Sequence, residues 1–141
     1  MVQPVGSASV TAVFERVRAQ YNNGRASSGI SLDASATGRT INGTATDTVS
    51  SDNGSGNDGG GFRIEGNQSN TNNLTVVRSV AANNHTGVLG DTEGFPSTAF
   101  ISQTTITNGV FACNGVVESY QDNTIHNNEV DVCDARIISK E

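Results

Sequence analysis

The stretch TVVRSVAANNHTGVLG, residues 75–90, carries the pattern that decides the architecture. Thr75, Val76 and Val77 are β-branched, and two heavy atoms on Cβ favour a pleated strand. Val80-Ala-Ala82 then runs into Asn83-Asn84. Asparagine tolerates the left-handed backbone of a sharp corner, and its amide both donates and accepts hydrogen bonds. Gly87-Val-Leu89 opens the next apolar segment on a glycine. The order is strand, asparagine corner, glycine-led strand. The stretch TTITNGVFACNGVVESYQDNTIHNN, residues 104–128, restates it in fewer residues.

The same corner stands elsewhere in the chain. An apolar or small residue, two spacers and then Asn or Asp followed by Asn occur at 19–23, 49–53 and 80–84, with shortened forms at 106–108 and 125–128. The leading positions are 30, 31, 26 and 19 residues apart. The corner asparagines read this way are Asn22, Asn53, Asn83, Asn108 and Asn127. Glycine-led segments trail them at 29–32, 61–64, 87–89 and 115–119, with a glycine-less one at 130–132. A strand-like piece precedes the asparagine at 10–14, 74–77 and 100–104. Units this long are too short for propeller blades, which need roughly 40–50 residues, and too irregular for a hexapeptide solenoid. They fit the turns of a parallel β-solenoid with loops of varying length. Equivalent side chains then stack from coil to coil, and corner amides form hydrogen-bonded ladders.

Composition agrees. Gly, Asn, Ser and Thr make up 62 of 141 residues, and Val plus Ile number 23 against three Leu. A helical bundle would favour Leu, Ala, Glu and Lys, so the fold class is all-β. The tracts from Ser50 to Gly61, Gly66 to Asn73 and Asp91 to Thr98 read as loops on this frame.

Residues 75–90 and 104–128 resemble the coil repeat of right-handed parallel β-helix proteins, broadly the pectate lyases and their relatives. The resemblance covers roughly residues 10 to 133 and implies a right-handed solenoid of about five short coils. These fall at 10–39, 40–72, 73–99, 100–123 and 124–141, one domain, or a fragment of a longer protein. It also implies a carbohydrate-active enzyme as one alternative: a lyase, hydrolase or epimerase. The Asn-Thr-Asp, Asp-Asp, Gly-His-Gly and Arg-Ile-Lys segments of polygalacturonases do not stand intact here, and neither does an Asp-Pro-His-Asp box.

The net charge is −6, with Lys140 and seven scattered arginines, so the overall field repels phosphate. This argues against nucleic acid and against an anionic membrane surface. No run approaches the roughly 18 apolar residues of a membrane span. The first residues lack the basic and long apolar regions of a signal peptide, which leaves a cytosolic chain or a removed signal. Cys113 and Cys133 are too few for a zinc site. They read as two buried thiols, or as one bridge if the fold stacks their segments. N-x-S/T sites such as those at Asn42, Asn67, Asn73 and Asn84 are expected by chance in such a composition.

Lyase chemistry needs a basic residue, and Arg18, Arg63 and Arg78 lie on mid-chain strands or their edges, Arg78 being the candidate. Hydrolysis needs paired carboxylates. Glu65 and Glu118 each follow an apolar residue in a glycine-led strand, although the coil at Gly87 intervenes. His85 and His126 sit beside corners a coil apart, and residues 54–61 superficially match one calcium repeat. Surface histidines and a plain loop are the simpler readings, and no metal is expected. Binding asks for less. Tyr21 and Tyr120 are placed to stack on sugar rings amid outward Thr and Asn, and carbohydrate is the ligand class expected. Thr44, Thr46, Thr48, Thr104, Thr105 and Thr107 suggest an ice-binding array, but they do not recur in every coil.

The ends of a solenoid expose strand edges. Residues 10–21 read as strand, with a capping helix as the competitor because Val13, Val17 and Tyr21 are four apart. Residues 134–141 are expected to fold back as a cap or to donate a strand. The sequence therefore points to a small non-catalytic binding or structural module without a cofactor, assembling as a homo-oligomer through an end coil or a sheet face.

Overall fold

A computed structural model describes residues 1–3, 9–35, 39–66, 70–90, 96–133 and 136–137. Strands come in threes along the chain. The first three are β1 (Val10–Glu15), β2 (Arg18–Gln20) and β3 (Ser28–Asp33). Then come β4 (Ile41–Thr46), β5 (Val49–Ser51) and β6 (Gly60–Glu65), followed by β7 (Asn72–Val77), β8 (Val80–Ala82) and β9 (Thr86–Leu89). A fourth set holds β10 (Ser97–Ser102), β11 (Thr105–Thr107) and β12 (Phe111–Asn114). The chain ends with β13 (Val117–Ser119), β14 (Thr124–His126) and β15 (Arg136–Ile137). There is no helix among the described residues, and the front segment is strand.

Each strand pairs with the one three places along, so the strands sort into three sheets. The first sheet runs β1-β4-β7-β10-β13-β15, the second β14-β11-β8-β5-β2, and the third β12-β9-β6-β3. Every pairing is parallel, as for Val10 on Ile41, Val49 on Val80 and Ile30 on Phe62. The fold is therefore all-β with three stacked parallel sheets, an arrangement compatible with a β-helix.

The period of two sets the interior. In β4, Ile41, Gly43 and Ala45 are buried while Asn42, Thr44 and Thr46 face out, and β7 and β10 alternate in phase with it. Ile30, Phe62, Val88 and Cys113 stack on the third sheet and meet Leu74, Val76, Ile101 and Ile106 in one core. The leading glycines of the third sheet answer to close approach. A Cβ on Gly87 would lie 2.6 Å from the Ala112 carbonyl oxygen and against Ile106 Cγ2. One on Gly61 would lie 2.7 Å from the Gly87 oxygen and 3.2 Å from Ala81 Cβ.

Two corners per turn carry the chain between sheets, each through one residue in the left-handed region. After the first sheet these are Arg16, Asp47, Arg78, Gln103 and Gln121, with φ between 46° and 62°. After the second sheet they are Tyr21, Asp52, Asn83, Asn108 and Asn127, with φ between 54° and 60°. The next residue points inward and closes the turn with a side-chain ladder. Asn22 donates through Nδ2 to Asn53 Oδ1 (2.8 Å), and Asn53 Nδ2 donates to Asn84 Oδ1 (3.1 Å), each partner 31 residues on. At the other corner hydroxyls do the same, with an amide in the last rung: Val17 N donates to Thr48 Oγ1, Thr48 N to Ser79 Oγ, and Thr104 N to Asn123 Oδ1. Buried backbone groups that no strand can reach are thereby satisfied.

Several expectations change here. Ser50 and Gly61 are not loop residues: Ser50 is fully buried in β5, and its hydroxyl donates to the Gly61 carbonyl at 2.7 Å. A small polar residue fits there because Gly29 leaves room, where a Cβ would strike the Ser50 hydroxyl. The Gly115 segment does not match the other glycine-led strands. Gly115 is a left-handed turn (φ 75°), and Val117–Ser119 joins the first sheet beside β10. The matching rung of the third sheet is β12, with Ala112 in the glycine's place. Cys113 and Cys133 form a disulfide, with Cα atoms 4.7 Å apart, rather than two buried thiols. The last coil brings them together, because Phe111 bridges Val130 and Ala112 N donates to the Val130 oxygen. Residues 136–137 add a strand beside β13, while 134–135 and 138–141 of the expected cap lie outside the described residues.

Candidate functional site

Arg78 sits at the corner after β7. Its Nε donates to Asp47 Oδ1 at 2.9 Å and its Nη2 to Asp47 Oδ2 at 3.1 Å, a two-pronged fit of guanidinium to carboxylate. The hydrogen bond from Arg78 holds the Asp47 carboxyl below its ordinary range, and Asp47 in turn raises the Arg78 pKa. A guanidinium in this state stays protonated and keeps its fork engaged.

Glu65 lies on β6 in the third sheet and accepts from Arg63 Nη2 at 2.6 Å. Glu118 lies on β13 in the first sheet, in register with Phe100 and with Arg136. The structure does not bring the two glutamates together, because the segment carrying Glu118 belongs to a different sheet. Glu65 stands beside Asp33, whose carboxylate accepts from Ser35 N and from Gln3 Nε2.

The histidines also separate. His126 stacks outward on Thr107, whereas His85 lies past its corner with its ring 5.7 Å from that of Phe111. Among the described residues no group of three His, Cys, Asp or Glu side chains converges on one point. Asp131 is held below the ordinary carboxylate range first by the Asn128 main-chain N–H and then by the Asn128 amide, a closing turn of the last corner.

The asparagines read as corners divide between two roles. Asn22 and Asn53 occupy the inward ladder position, while Asn83, Asn108 and Asn127 occupy the left-handed position before it. Asn84, Gly109 and Asn128 fill the ladder position in those coils, with Gly109 N donating to Asn128 Oδ1 at 2.9 Å. The hydroxyl ladder escaped sequence reading. Its signal is spacing: Thr48, Ser79 and Asn123 each precede the ladder asparagine by five residues. Thr48 and Thr104 consequently point inward, which removes them from any outer threonine array.

Tyr21 and Tyr120 occupy different corners. Tyr21 is a left-handed, 71% exposed residue after β2. Tyr120 follows β13, and its N–H donates to the Ile101 carbonyl (3.3 Å). Buried Val117 and Ser119 alternate there with half-buried Glu118 and Tyr120, so Tyr120 continues the outer face of the first sheet. On that face, diagonally across from Tyr120, stands Phe100. It projects between buried Ala99 and Ile101, in register with Thr75 and Glu118. Two residues along a strand and one strand across put such a diagonal pair about 8 Å apart, within reach of one ligand. Sequence reading treated Phe100 only as strand. The alternation of Ala99 and Ile101 is the signal that turns it outward.

Around this aromatic pair the outer face is hydroxyl and amide. Val13, Thr44, Thr75, Phe100 and Glu118 form one column, and Thr11, Asn42, Asn73 and Thr98 another. Asn73 Nδ2 donates to Asn42 Oδ1 at 3.1 Å. Two depressions elsewhere enclose about 260 and 270 Å³, below the roughly 300–1,000 Å³ of small-molecule pockets. One lies by Arg63 and Ser31, the other by Phe111 and the disulfide. The extended outer face is the other candidate. Comparison of the chain with protein families, with curated proteins and with solved structures finds no match.

Proposed function

We propose that the chain is a non-catalytic module of a right-handed parallel β-helix, of the pectate-lyase-like kind, that binds carbohydrate along the outer face of its first sheet. The observation that carries the reading is the placement of Phe100 and Tyr120 on one face, among in-register Thr and Asn side chains. Aromatic rings offer apolar faces to sugar C–H groups, while amides and hydroxyls complement sugar hydroxyls. The handedness follows from the parallel crossovers, which wind right-handed in about 98% of cases. Binding is favoured over catalysis because Arg78 is committed to Asp47, and Glu65 and Glu118 belong to different sheets.

Affinity electrophoresis through gels containing soluble polysaccharides tests this. The wild type is retarded, and Phe100→Ala and Tyr120→Ala each weaken retardation about tenfold, equivalent to about 1.4 kcal/mol. Tyr21→Ala leaves it unchanged. Both aromatic variants stay folded and lose at most about 1 kcal/mol of stability, because the rings are only half-buried. Retardation by no polysaccharide refutes the reading, and release of unsaturated sugars, read by absorbance, favours the lyase alternative instead.

A further inference from the structure

We propose that the ligand of this face is an uncharged polysaccharide, and that Asp47 enforces the choice by occupying the guanidinium of Arg78. This rests on the carbohydrate-binding reading above. Uronate polymers present a carboxylate on each ring, and a protein holds them with guanidinium or ammonium groups. Among the described side chains, two guanidiniums stand at the corner that follows the strands of this face, and both forks are engaged from within the chain. Asp47 accepts from Nε and Nη2 of Arg78, and Glu15 accepts from Nε and Nη2 of Arg16 at 3.2 and 2.7 Å. These are the same donors that a uronate would use.

Carboxylates also stand on this face and at its border. Asp122 ends the face, where it accepts from Ser102 Oγ (2.9 Å) and Gln103 N (3.0 Å). Glu118 lies between Phe100 and Tyr120, and the whole chain carries −6. A polyanion would be repelled at range and would have to displace an intramolecular carboxylate on contact. A neutral glycan meets rings, hydroxyls and amides without that opposition.

The arrangement makes Asp47 a specificity switch that a single atom change can throw. Asp47→Asn keeps the shape and suits the left-handed backbone at φ 51°, but it removes the charge that holds Arg78. Arg78 then offers its fork to an external carboxylate.

The test is affinity electrophoresis at about 0.1 M salt with hydroxyethyl cellulose, galactan, carboxymethyl cellulose and polygalacturonate. The wild type is retarded by one or both neutral polymers and by neither anionic one. Asp47→Asn gains at least tenfold in retardation by an anionic polymer. That gain fades at 0.5 M salt and is absent from the Asp47→Asn, Arg78→Gln double variant. Wild-type retardation by the anionic polymers, abolished by Phe100→Ala, overturns the proposal and leaves the binding face standing. An Asp47→Asn protein that gains no anion binding overturns the switch. Retardation by none of the four polymers overturns the binding reading and this proposal with it.

Discussion

Asn53 is the most connected corner side chain, and removing it tests whether the amide ladder holds the coils together. Its Oδ1 accepts from Asn22 N (3.2 Å) and Asn22 Nδ2 (2.8 Å). Its Nδ2 lies 3.1 Å from each of Ala19 O, Ser50 Oγ and Asn84 Oδ1. Its own main-chain N–H also donates to Asn84 Oδ1 and survives substitution. Asn53→Ala therefore deletes every side-chain bond at a site with no solvent exposure. Each hydrogen bond is worth about 0.5–1.5 kcal/mol net, and buried partners left unpaired cost about 1–3 kcal/mol each. Ser50 retains Gly61, and the exposed Asn22 recovers water, so the loss totals about 3–5 kcal/mol. At this chain length that lowers the unfolding midpoint by about 10–15 °C. Asn83→Ala is the control. Its side chain makes one exposed bond, to Asp52 Oδ1 at 3.2 Å, and alanine is strained at its φ of 54°, so the two losses together cost about 1–2 kcal/mol. Urea titrations of the two variants, with unchanged slope, measure both numbers. An Asn53→Ala protein within about 1 kcal/mol of wild type, or equal to Asn83→Ala, refutes the ladder as a stabilising element.

Four other outcomes follow from the same structure. Gly87→Ala costs about 2–3 kcal/mol in urea unfolding, because its Cβ meets the rigid Ala112 carbonyl. Gly43→Ala costs about 1–3 kcal/mol, because its Cβ meets the fully buried Leu32 side chain. Thr48→Val, an isostere without the hydroxyl, loses the bonds from Val17 N and to Thr46 O and costs about 1–2 kcal/mol by the same assay. Reduction of the Cys113–Cys133 bridge, which spans 20 residues of sequence, removes about 3 kcal/mol, and hydrogen exchange rises first in residues 117–126. The Asp47–Arg78 pair gives an acid limb. Asp47 titrates below its ordinary value of 3.8 in the folded chain, so its contribution is complete above that pH and is lost as pH falls through the lowered folded value. Thermal melts of wild type and Asp47→Asn are expected to differ at neutral pH and to converge in that acid range. A constant gap down to the lowest pH would contradict the linkage.

Strand content was legible because β-branched residues dominate the apolar set and alternate with polar ones. Val10 to Phe14, Leu74 to Val77 and Phe100 to Ser102 all fall in strands of the first sheet. The left-handed corners were half legible. Asn83, Asn108 and Asn127 announce a backbone that favours Asn, but Arg16, Arg78 and Gln103 adopt the same φ with no such signature. What imposes it on them is the geometry of the turn between two sheets. The candidate site was less legible still. Tyr120 was picked out for its chemistry and Phe100 was not, although Phe100 shares its face.

By itself the sequence determined the local alphabet: extended segments, asparagine corners and glycines at regular places, each a matter of side-chain shape and short-range hydrogen bonding. Tertiary structure decided which coil lies on which, and hence every relation between distant residues. It put Asn53 rather than Asn83 into the ladder and sent Glu65 and Glu118 to different sheets. It also joined Cys113 to Cys133, and it closed Arg78 onto Asp47 across 31 residues. The reason is the register. In a parallel pairing, a shift of one residue exchanges inward and outward side chains. Loops of unequal length set that shift between coils, and only contact between the stacked strands fixes it.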